Sequence, residues 1–189
     1  MSVTGVQAGL DVRPARAGEI PALRGLIADS ARMLSRGYYT VQEAESAIRH
    51  VFGVDSALIA DGTYFVARLD GVLAGCGGWS RRRTLYGGDQ RPVGTQDVLD
   101  PARDAARIRA FFVAPAAARR GVGRALFEAC NEAAAASGFR SLELMATLPG
   151  VPFYASLGFD TVEQVTDELP DGTPIRFVRM RRDIGALSS

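Results

Sequence analysis

The chain has 189 residues, 47% of them apolar and 23% charged, which is the balance of a folded globular protein. Its 22 basic and 21 acidic residues give a formal net charge of +1, so charge alone excludes a general nucleic-acid binder. No apolar run approaches the roughly 20 residues of a membrane span, and the first residues lack the basic start and apolar centre of a signal peptide. We therefore expect a cytoplasmic protein without a membrane segment.

The first half of the chain begins with a segment that has no periodic pattern, residues 1–9, where we expect a flexible tail. Residues 10–16 alternate apolar and polar side chains well enough to predict a first strand. Apolar residues then recur at helical spacing from Ile20 to Leu34, which predicts a helix.

A second, shorter helix is predicted from its start signal. Thr40 and Glu43 fit a capping box, in which each side chain binds the other residue's backbone N–H. The helix runs on through Val51. His50, the single histidine, falls near its end, where packing or solvent exposure explains it better than catalysis.

A hairpin follows, with strands over residues 63–69 and 72–80. Asp70 and Gly71 between them are typical of a type I′ turn. Residues 81–105 are polar and rich in Gly, Pro and Asp, and a connection of this length in a compact domain is usually functional or disordered. We interpret it as an excursion that flanks a site.

The next unit is a strand over residues 106–115, ended by a proline, and then a glycine turn that leads into a helix. Gly138 ends this helix as a left-handed cap. Cys76 in the hairpin and Cys130 in this helix have no CxxC spacing, so we expect small buried side chains, with neither a disulfide framework nor a metal site. The residues on the apolar face of the helix are Val122, Ala125, Leu126, Ala129, Cys130 and Ala133.

The last third predicts a strand over residues 140–147, a short helix and turn over 149–159, and a final strand over 173–183. The segment after Phe159 is its expected pairing partner. Strand–helix–strand steps favour parallel pairing and the hairpin requires an antiparallel pair, so a mixed sheet flanked by helices is expected. One domain then spans residues 10–183, and residues 184–189 form a tail.

The stretch ARRGVGRAL, residues 118–126, places two glycines where a helix begins, although glycine is a poor helix former. A helix start exposes unpaired N–H groups and the positive end of the helix dipole, and glycine lets an anion approach the backbone. Phosphates are bound in this way, and arginines add matching charge. The stretch from Arg119 to Ala125 therefore predicts a pyrophosphate cradle, with a tight turn and solvated arginines as the alternative.

Two other phosphate-binding loops do not fit the sequence. A Walker A loop needs GxxxxGK followed by Ser or Thr, and no such pattern occurs. The dinucleotide fingerprint GxGxxG would need a glycine where the chain has Leu126.

A second motif, FYASLGF, residues 153–159, lies one strand beyond the glycine turn. Together with FFVAPAAARRGVGRAL, residues 111–126, it resembles the GNAT superfamily of N-acetyltransferases, and the resemblance extends from about Val12 to Arg182. It implies an α/β fold with a mixed, mostly antiparallel central sheet of about seven strands flanked by helices. Two parallel strands of such a sheet splay apart and admit acetyl-CoA, which is the implied co-substrate.

The resemblance also assigns roles to residues. The strand ending in Phe111, Phe112 and Val113 would offer backbone groups to the acetyl carbonyl and the pantetheine arm. Tyr154 corresponds to the tyrosine that protonates the departing thiolate, and an ordinary tyrosine pKa near 10 would keep it protonated at neutral pH. Packing in the core is the alternative role for Tyr154. The residues whose N–H groups or charges would hold the pyrophosphate are Arg119, Arg120, Gly121, Val122, Gly123, Arg124 and Ala125.

The chain departs from the family pattern at two places. Ala118 stands where the family often has Gln or Arg, which puts one side-chain contact in question. Many members use a carboxylate on or near the strand before the glycine turn, whereas here that strand carries Arg107 and Arg109 and no acid. A base acting through water, or an amine that arrives neutral, would serve instead. Candidate bases elsewhere, each equally explained by a solvated or structural role, are His50, Glu143, Asp89 and Asp97.

We expect acceptor selectivity to come from the first two helices and from the excursion after Ser80. The basic run at residues 81–83 suits a solvated strand end, an acidic substrate, the CoA 3′-phosphate or a partner chain. Aromatic residues that would line an acceptor pocket, or else pack half-buried, are Tyr38, Tyr39, Trp79 and Tyr86.

The leading interpretation is an acetyl-CoA-dependent N-acetyltransferase that acts on a small-molecule amine, because the sequence carries no signature of a groove for a basic peptide. The missing carboxylate favours a non-catalytic acyl-CoA-binding or sensor module as one alternative. An acyltransferase for another acyl-CoA or for an O-acceptor is the other. The resemblance favours a homodimer.

Overall fold

A computed structural model describes residues 9–91 and 97–185. The tails expected at 1–9 and 184–189 lie outside these ranges except for Gly9, Ile184 and Gly185. The helices are α1 (Ile20–Leu34), α2 (Val41–His50), α3 (Ser56–Ala60), α4 (Val122–Ala136) and α5 (Val151–Ser156). The strands are β1 (Leu10–Pro14), β2 (Tyr64–Leu69), β3 (Val72–Ser80), β4 (Ala106–Val113), β5 (Ser141–Thr147), β6 (Asp160–Glu168) and β7 (Pro174–Asp183).

The strands of the described ranges form one seven-stranded sheet in the order β1-β2-β3-β4-β5-β7-β6. Every neighbouring pair is antiparallel except β4 and β5, which run parallel. The predicted mixed, mostly antiparallel sheet is thereby confirmed, including its parallel pair. Because the strand order follows the chain order closely, each half of the sheet is built mainly from consecutive strands.

Two local signals in the sequence have the expected structure. Asp70 and Gly71 both have positive φ, 52° and 80°, as a type I′ turn requires. The hydroxyl of Thr40 accepts a hydrogen bond from the N–H of Glu43 at 3.1 Å, and the carboxylate of Glu43 accepts one from the N–H of Thr40 at 2.7 Å. The hairpin and the capping box therefore hold as predicted.

Two details of the helices differ from the sequence prediction. The short helix α3 was not expected; it is held at its start by the carboxylate of Asp55, which accepts from the N–H of Ala57 at 3.1 Å. The buried residues of α4 include Phe127 and Ala134, whereas the predicted Ala125, Ala129 and Ala133 are only half-buried. The bulky Phe127 ring turns toward the sheet because more apolar area is then removed from water.

Helices cover both faces of the sheet. On one face α4 packs its residues Val122 and Leu126 against Ala67 and Ala74 of the first hairpin. On the other face α1 and α2 pack against residues such as Val66, adjacent to Ala67 in β2. Successive strand residues point to opposite faces, so one strand contributes to both cores.

No helix within the described ranges combines the length and apolar character needed to cross a membrane. Cys76 and Cys130 are both buried and free, as expected from the sequence. Burial raises the pKa of the Cys76 thiol to about 12, so this thiol is neutral at physiological pH.

Candidate active site

The site begins where β4 and β5 part. Their parallel ladder contains the pairs Ala106–Leu142 and Arg107–Glu143, and beyond these pairs the strands separate. A cavity of about 240 Å³ lies along this gap. Its walls come from β4 and β5, from the starts of α4 and α5, from α1, and from the segments around Phe52 and Tyr86.

β4 carries a bulge at the edge of the gap. Cys76 of β3 pairs with Phe112 and Gly78 pairs with Arg109, so one β3 residue faces two β4 residues. The first of these two, Ala110, has φ 51°, a conformation that a non-glycine residue rarely adopts. The hydroxyl of Tyr64 donates to the carbonyl of Ala110 at 3.0 Å and fixes the bulge.

Glycines in β3 make room for this bulged strand. A Cβ atom at Gly77 would collide with the ring of Phe111, and one at Gly75 would lie 2.8 Å from Cγ1 of Val122. Glycine within a strand marks close approach of a neighbour, so the run AGCGG in the sequence is a signal that would have indicated the crowding.

The glycine turn meets the same cavity at its other side. Arg119 and Gly121 both have left-handed backbone, with φ 61° and 81°, and α4 begins at Val122. The first intrahelical bond runs from the N–H of Ala125 to the carbonyl of Gly121 at 3.0 Å. The N–H groups just before Ala125 therefore have no acceptor within the helix.

The predicted cofactor-binding residues fall into two groups. Phe111, Phe112, Val113 and Gly123 line the cavity. The remaining ones, Arg119, Arg120, Gly121, Val122, Arg124 and Ala125, form the adjoining turn and the first turn of α4, with the three arginine side chains exposed.

Tyr154 of α5 lies in the cavity wall, with 8% of its surface exposed. Its ring packs against Phe111, Phe153 and Phe159, with centroid distances of 6.5, 5.1 and 5.7 Å. Burial raises the pKa of Tyr154 well above its ordinary value. The hydroxyl is therefore protonated at neutral pH.

A buried ion pair that the sequence analysis missed braces this wall. The guanidinium of Arg109 lies 2.9 Å from the carboxylate of Asp55 and also donates to the carbonyls of Thr84 at 3.0 Å and Gly87 at 2.6 Å. Burial lowers the pKa of Arg109 and the charge of Asp55 opposes that effect. The bonds from Arg109 to the two carbonyls anchor the excursion after β3 to the bulged strand.

The far end of the cavity is aromatic. The ring of Phe52 lies 5.6 Å from that of Phe112 and 6.4 Å from that of Phe177, and Tyr86 lies 5.2 Å from Phe177. The Tyr86 hydroxyl donates to the carboxylate of Asp167 at 2.7 Å.

Of the aromatic residues predicted for an acceptor pocket, Tyr86 alone lines the cavity. Trp79 is buried in the core on the α4 side, and Tyr38 is exposed. The hydroxyl of Tyr39 donates to the carbonyl of Arg176 at 2.6 Å and accepts from the N–H of Leu148 at 2.9 Å, so it ties structural elements together.

None of the four candidate bases lies among the residues that line the cavity. His50 faces Asp171 at 3.6 Å, and Glu143 pairs with Arg107 at 3.1 Å. The carboxylate of Asp89 accepts from the N–H and hydroxyl of Ser56, both at 2.9 Å. The carbonyl of Asp97 accepts from the N–H of Arg83 at 3.0 Å.

The basic run at residues 81–83 lies at the opposite end of β3 and β4 from the glycine turn, because Ser80 pairs with Arg107 and Gly75 with Val113. At roughly 3.3 Å per residue the separation is about 20 Å. Arg82 pairs with Asp61 at 3.0 Å and Arg83 lies 4.0 Å from Asp104. This placement favours the solvated strand end over a contact with a cofactor phosphate.

The sequence matches the model of the Acetyltransferase (GNAT) family over residues 29–159. No match was found among curated proteins. Solved structures with the same fold include a GCN5-related N-acetyltransferase from Rhodopseudomonas palustris, with a TM-score of 0.68 at 19% identity, covering 94% of this chain and 98% of that one.

Two further structures were solved with a ligand. PaiA N-acetyltransferase from Thermoplasma acidophilum, in complex with coenzyme A, has a TM-score of 0.62 at 13% identity, covering 92% of this chain and 98% of that one. YncA from Salmonella typhimurium, with its cofactor acetyl-CoA, has a TM-score of 0.60 at 16% identity, covering 96% and 97%.

Proposed function

Because the chain belongs to the GNAT acetyltransferase family, we propose that it transfers the acetyl group of acetyl-CoA to the amine of a small molecule by direct attack on the thioester. The observation that carries the proposal is the cavity in the β4–β5 gap, which brings Tyr154, the bulged strand β4 and the glycine turn to one place. The ligands of PaiA and YncA support the same choice of co-substrate.

The glycine turn would hold the pyrophosphate. The N–H groups of Val122, Gly123 and Arg124 precede the first intrahelical bond of α4 and are available to phosphate oxygens. The arginines of the turn are exposed, so their charges are accessible to an anion. A Cβ atom at Gly123 would lie 3.1 Å from Cζ of Phe153, so the start of α4 already fits closely against α5.

The bulged strand would hold the acyl arm. Beyond Arg107, β4 has no β5 partner in the ladder, so the backbone groups on its β5 side between Phe111 and Val113 face the gap. These groups would pair with the amides of the pantetheine arm as a neighbouring strand does, and an N–H among them would polarise the acetyl carbonyl.

Tyr154 would act at the leaving group. The acceptor nitrogen forms a bond to the carbonyl carbon, the carbon–sulfur bond breaks, and the sulfur leaves with the electron pair of that bond. The Tyr154 hydroxyl is protonated at neutral pH, and burial raises its pKa further; it would give the sulfur its proton. The nitrogen loses one proton to solvent and solvent returns one proton to the tyrosinate, so the products are the N-acetyl amine and free CoA.

A calorimetric titration with acetyl-CoA, with NADH as the comparison, tests the cofactor site, and release of free CoA thiol in the presence of an amine panel tests the reaction. We expect binding of acetyl-CoA and not NADH, and thiol release that depends on the amine. Binding without turnover of any amine would identify an acyl-CoA-binding module. Faster turnover with propionyl- or succinyl-CoA would identify a different acyltransferase, and no binding would contradict both.

A further inference from the structure

The cavity beside Tyr154 carries almost no net charge. Among the described residues that line it, the one charged side chain is Arg109, and that charge is matched by Asp55 at 2.9 Å. None of these lining residues is Asp, Glu or His. The sequences outside the described ranges, residues 1–8, 92–96 and 186–189, contain no Asp, Glu or His either.

Two carboxylates that contact residues of the wall are already paired. Asp167 lies behind Tyr86 and accepts from its hydroxyl at 2.7 Å and from the guanidinium of Arg91 at 2.9 Å. The Arg91 guanidinium also lies 4.3 Å from the centre of the Tyr86 ring, so Arg91, Tyr86 and Asp167 form one group of contacts. Asp55 is bound to Arg109 in the same manner on the β4 side. An ammonium group in the cavity would find no free anion.

The space itself suits an apolar body. The rings of Phe52, Phe112, Phe177 and Tyr86 bound its far end. A volume of about 240 Å³ compares with the roughly 150 Å³ of an apolar cavity that holds a benzene molecule. The cavity is therefore on the scale of an aromatic ring, with its β4 side left to the acyl arm.

Resting on the proposed function, we propose that the acceptor is a weakly basic amine, neutral at physiological pH and carried on an aromatic ring or an apolar body of similar size. An ammonium ion that enters this cavity would lose the free energy of its hydration, and no carboxylate there would compensate for that loss. A neutral amine escapes that cost and arrives with its lone pair free to attack.

The same property removes the need for a base. After attack, the nitrogen of a weakly basic amine carries a proton that is strongly acidic, and water accepts it readily. The absence of a carboxylate on β4, which is a departure from the pattern of the family resemblance, then matches the kind of acceptor.

Two isomeric amines separate the cases. In 4-methylaniline the nitrogen is neutral at pH 7, whereas in benzylamine, which has the same atoms and nearly the same volume, it is an ammonium ion. We expect kcat/KM for 4-methylaniline to exceed that for benzylamine at pH 7 by about 100-fold or more. At a pH two units below its pKa, an amine such as benzylamine is only about 1% deprotonated. Between pH 6 and 8.5 the benzylamine value should rise about tenfold per unit, and that for 4-methylaniline should stay level.

Binding supplies a readout independent of turnover. In calorimetry on the complex with free CoA at pH 7, 4-methylaniline should bind at least tenfold more tightly than benzylamine. Equal or tighter binding of benzylamine, or a kcat/KM for benzylamine that is level with pH, would overturn the proposal. If acetyl-CoA binds and other amines react but 4-methylaniline does not, the acceptor class is wrong while the proposed function stands. If acetyl-CoA itself does not bind, the proposed function fails first.

Asp167 provides the rival explanation, in which it acts as a base through Tyr86. Asp167→Asn keeps an acceptor oxygen for the Tyr86 hydroxyl, and we expect it to leave the pH profile of 4-methylaniline unchanged within about twofold. A loss of tenfold or more in that profile, in a variant with an unchanged melting temperature, would identify Asp167 as a base and contradict the proposal.

Discussion

The Tyr154 ring lies among phenylalanines, where an ionised phenolate would lose its hydration, so burial raises the pKa of this hydroxyl above its ordinary value. A thiolate that forms beside it lies in the same apolar setting, so burial raises the proton affinity of the sulfur as well. Transfer of the proton from the Tyr154 hydroxyl to the sulfur, both of which are poorly hydrated, is then favoured over release of an unprotonated thiolate.

Tyr154→Phe removes that proton and little else. We expect kcat to fall about 100-fold, the usual contribution of a positioned acid, while the Kd for acetyl-CoA changes less than twofold. The rate of thiol release gives kcat, and calorimetry gives the Kd. Tyr38→Phe, at an exposed tyrosine, is the matched control. An unchanged kcat in Tyr154→Phe would assign this tyrosine to packing alone.

Some residues of the site could be predicted from the sequence and others could not. Tyr154 and the glycines of the turn belong to motifs whose spacing is visible in the chain. Ala110 carries no such mark, because its positive φ is imposed by the pairing of β4 with β3 and by the Tyr64 hydroxyl. The Arg109–Asp55 pair is equally hidden, since it joins residues 54 positions apart and no local pattern announces it.

At the scale of elements, the start of α4 combines free N–H groups with a close fit to α5. An aspartate at Gly123 would place a negative charge where the pyrophosphate is proposed to bind and press its Cβ atom on Phe153. We expect Gly123→Asp to weaken acetyl-CoA binding by tenfold or more, measured by calorimetry.

Gly25 offers a matched control for that variant, since it is a helical glycine of α1 with open space around its Cβ position. Gly25→Asp should leave the Kd for acetyl-CoA unchanged. Equal weakening in both variants would mean that net charge, not position, is responsible, and an unchanged Kd in Gly123→Asp would remove the start of α4 from the cofactor site.

Elements with strong local signals were predicted well from the sequence, such as α2 with its capping box and the hairpin with its Asp70–Gly71 turn. The short helix α3 was missed because five residues carry too little periodicity to be distinguished from a turn. The orientation of α4 was predicted only in part, since the spacing of alanines does not say which face a neighbouring phenylalanine will choose.

At the scale of the whole molecule, two paired carboxylates, one close to the start of the chain and one joining α2 to the β6–β7 turn, should contribute to stability in acid. Glu19 accepts from the guanidinium of Arg13 at 2.7 Å, and this pair lowers the pKa of Glu19 to about 2. Asp171, in the turn between β6 and β7, accepts from the hydroxyl of Ser46 in α2 at 2.6 Å, and this bond lowers the pKa of Asp171 to about 2. Both groups hold their protons more weakly in the folded state than in the unfolded one.

A carboxyl whose folded pKa is depressed stabilises the protein above its unfolded pKa of about 4 and loses that contribution as the pH falls toward 2. Urea unfolding at pH 4.5 and 2.5 should therefore show a smaller loss of unfolding free energy in Glu19→Gln and in Asp171→Asn than in the native protein. Glu128→Gln, at an exposed position of α4, should behave like the native protein. An unaltered acid slope in both test variants would refute the assignment.

Some neighbours in the sheet could be inferred from the sequence: the hairpin, the parallel pair of a strand–helix–strand step, and the pairing of the last strand with the segment after Phe159. The position of β7 between β5 and β6 could not. The width of the gap between β4 and β5 could not be derived from residue patterns. It depends on the bulge at Ala110 and on glycines of β3, which act across strands that are remote in sequence.

That gap also means that a bound acyl arm should strengthen the coupling between the two sides of the sheet. The two register pairs at Ala106 and Arg107 are the whole backbone ladder between the strands β1 to β4 and the strands β5 to β7. An acyl arm hydrogen-bonded along β4 would serve as a removable strand that couples the two blocks. Amides on the β5 side should then exchange with deuterium more slowly when the cofactor is bound, so the substrate would complete the fold that acts on it.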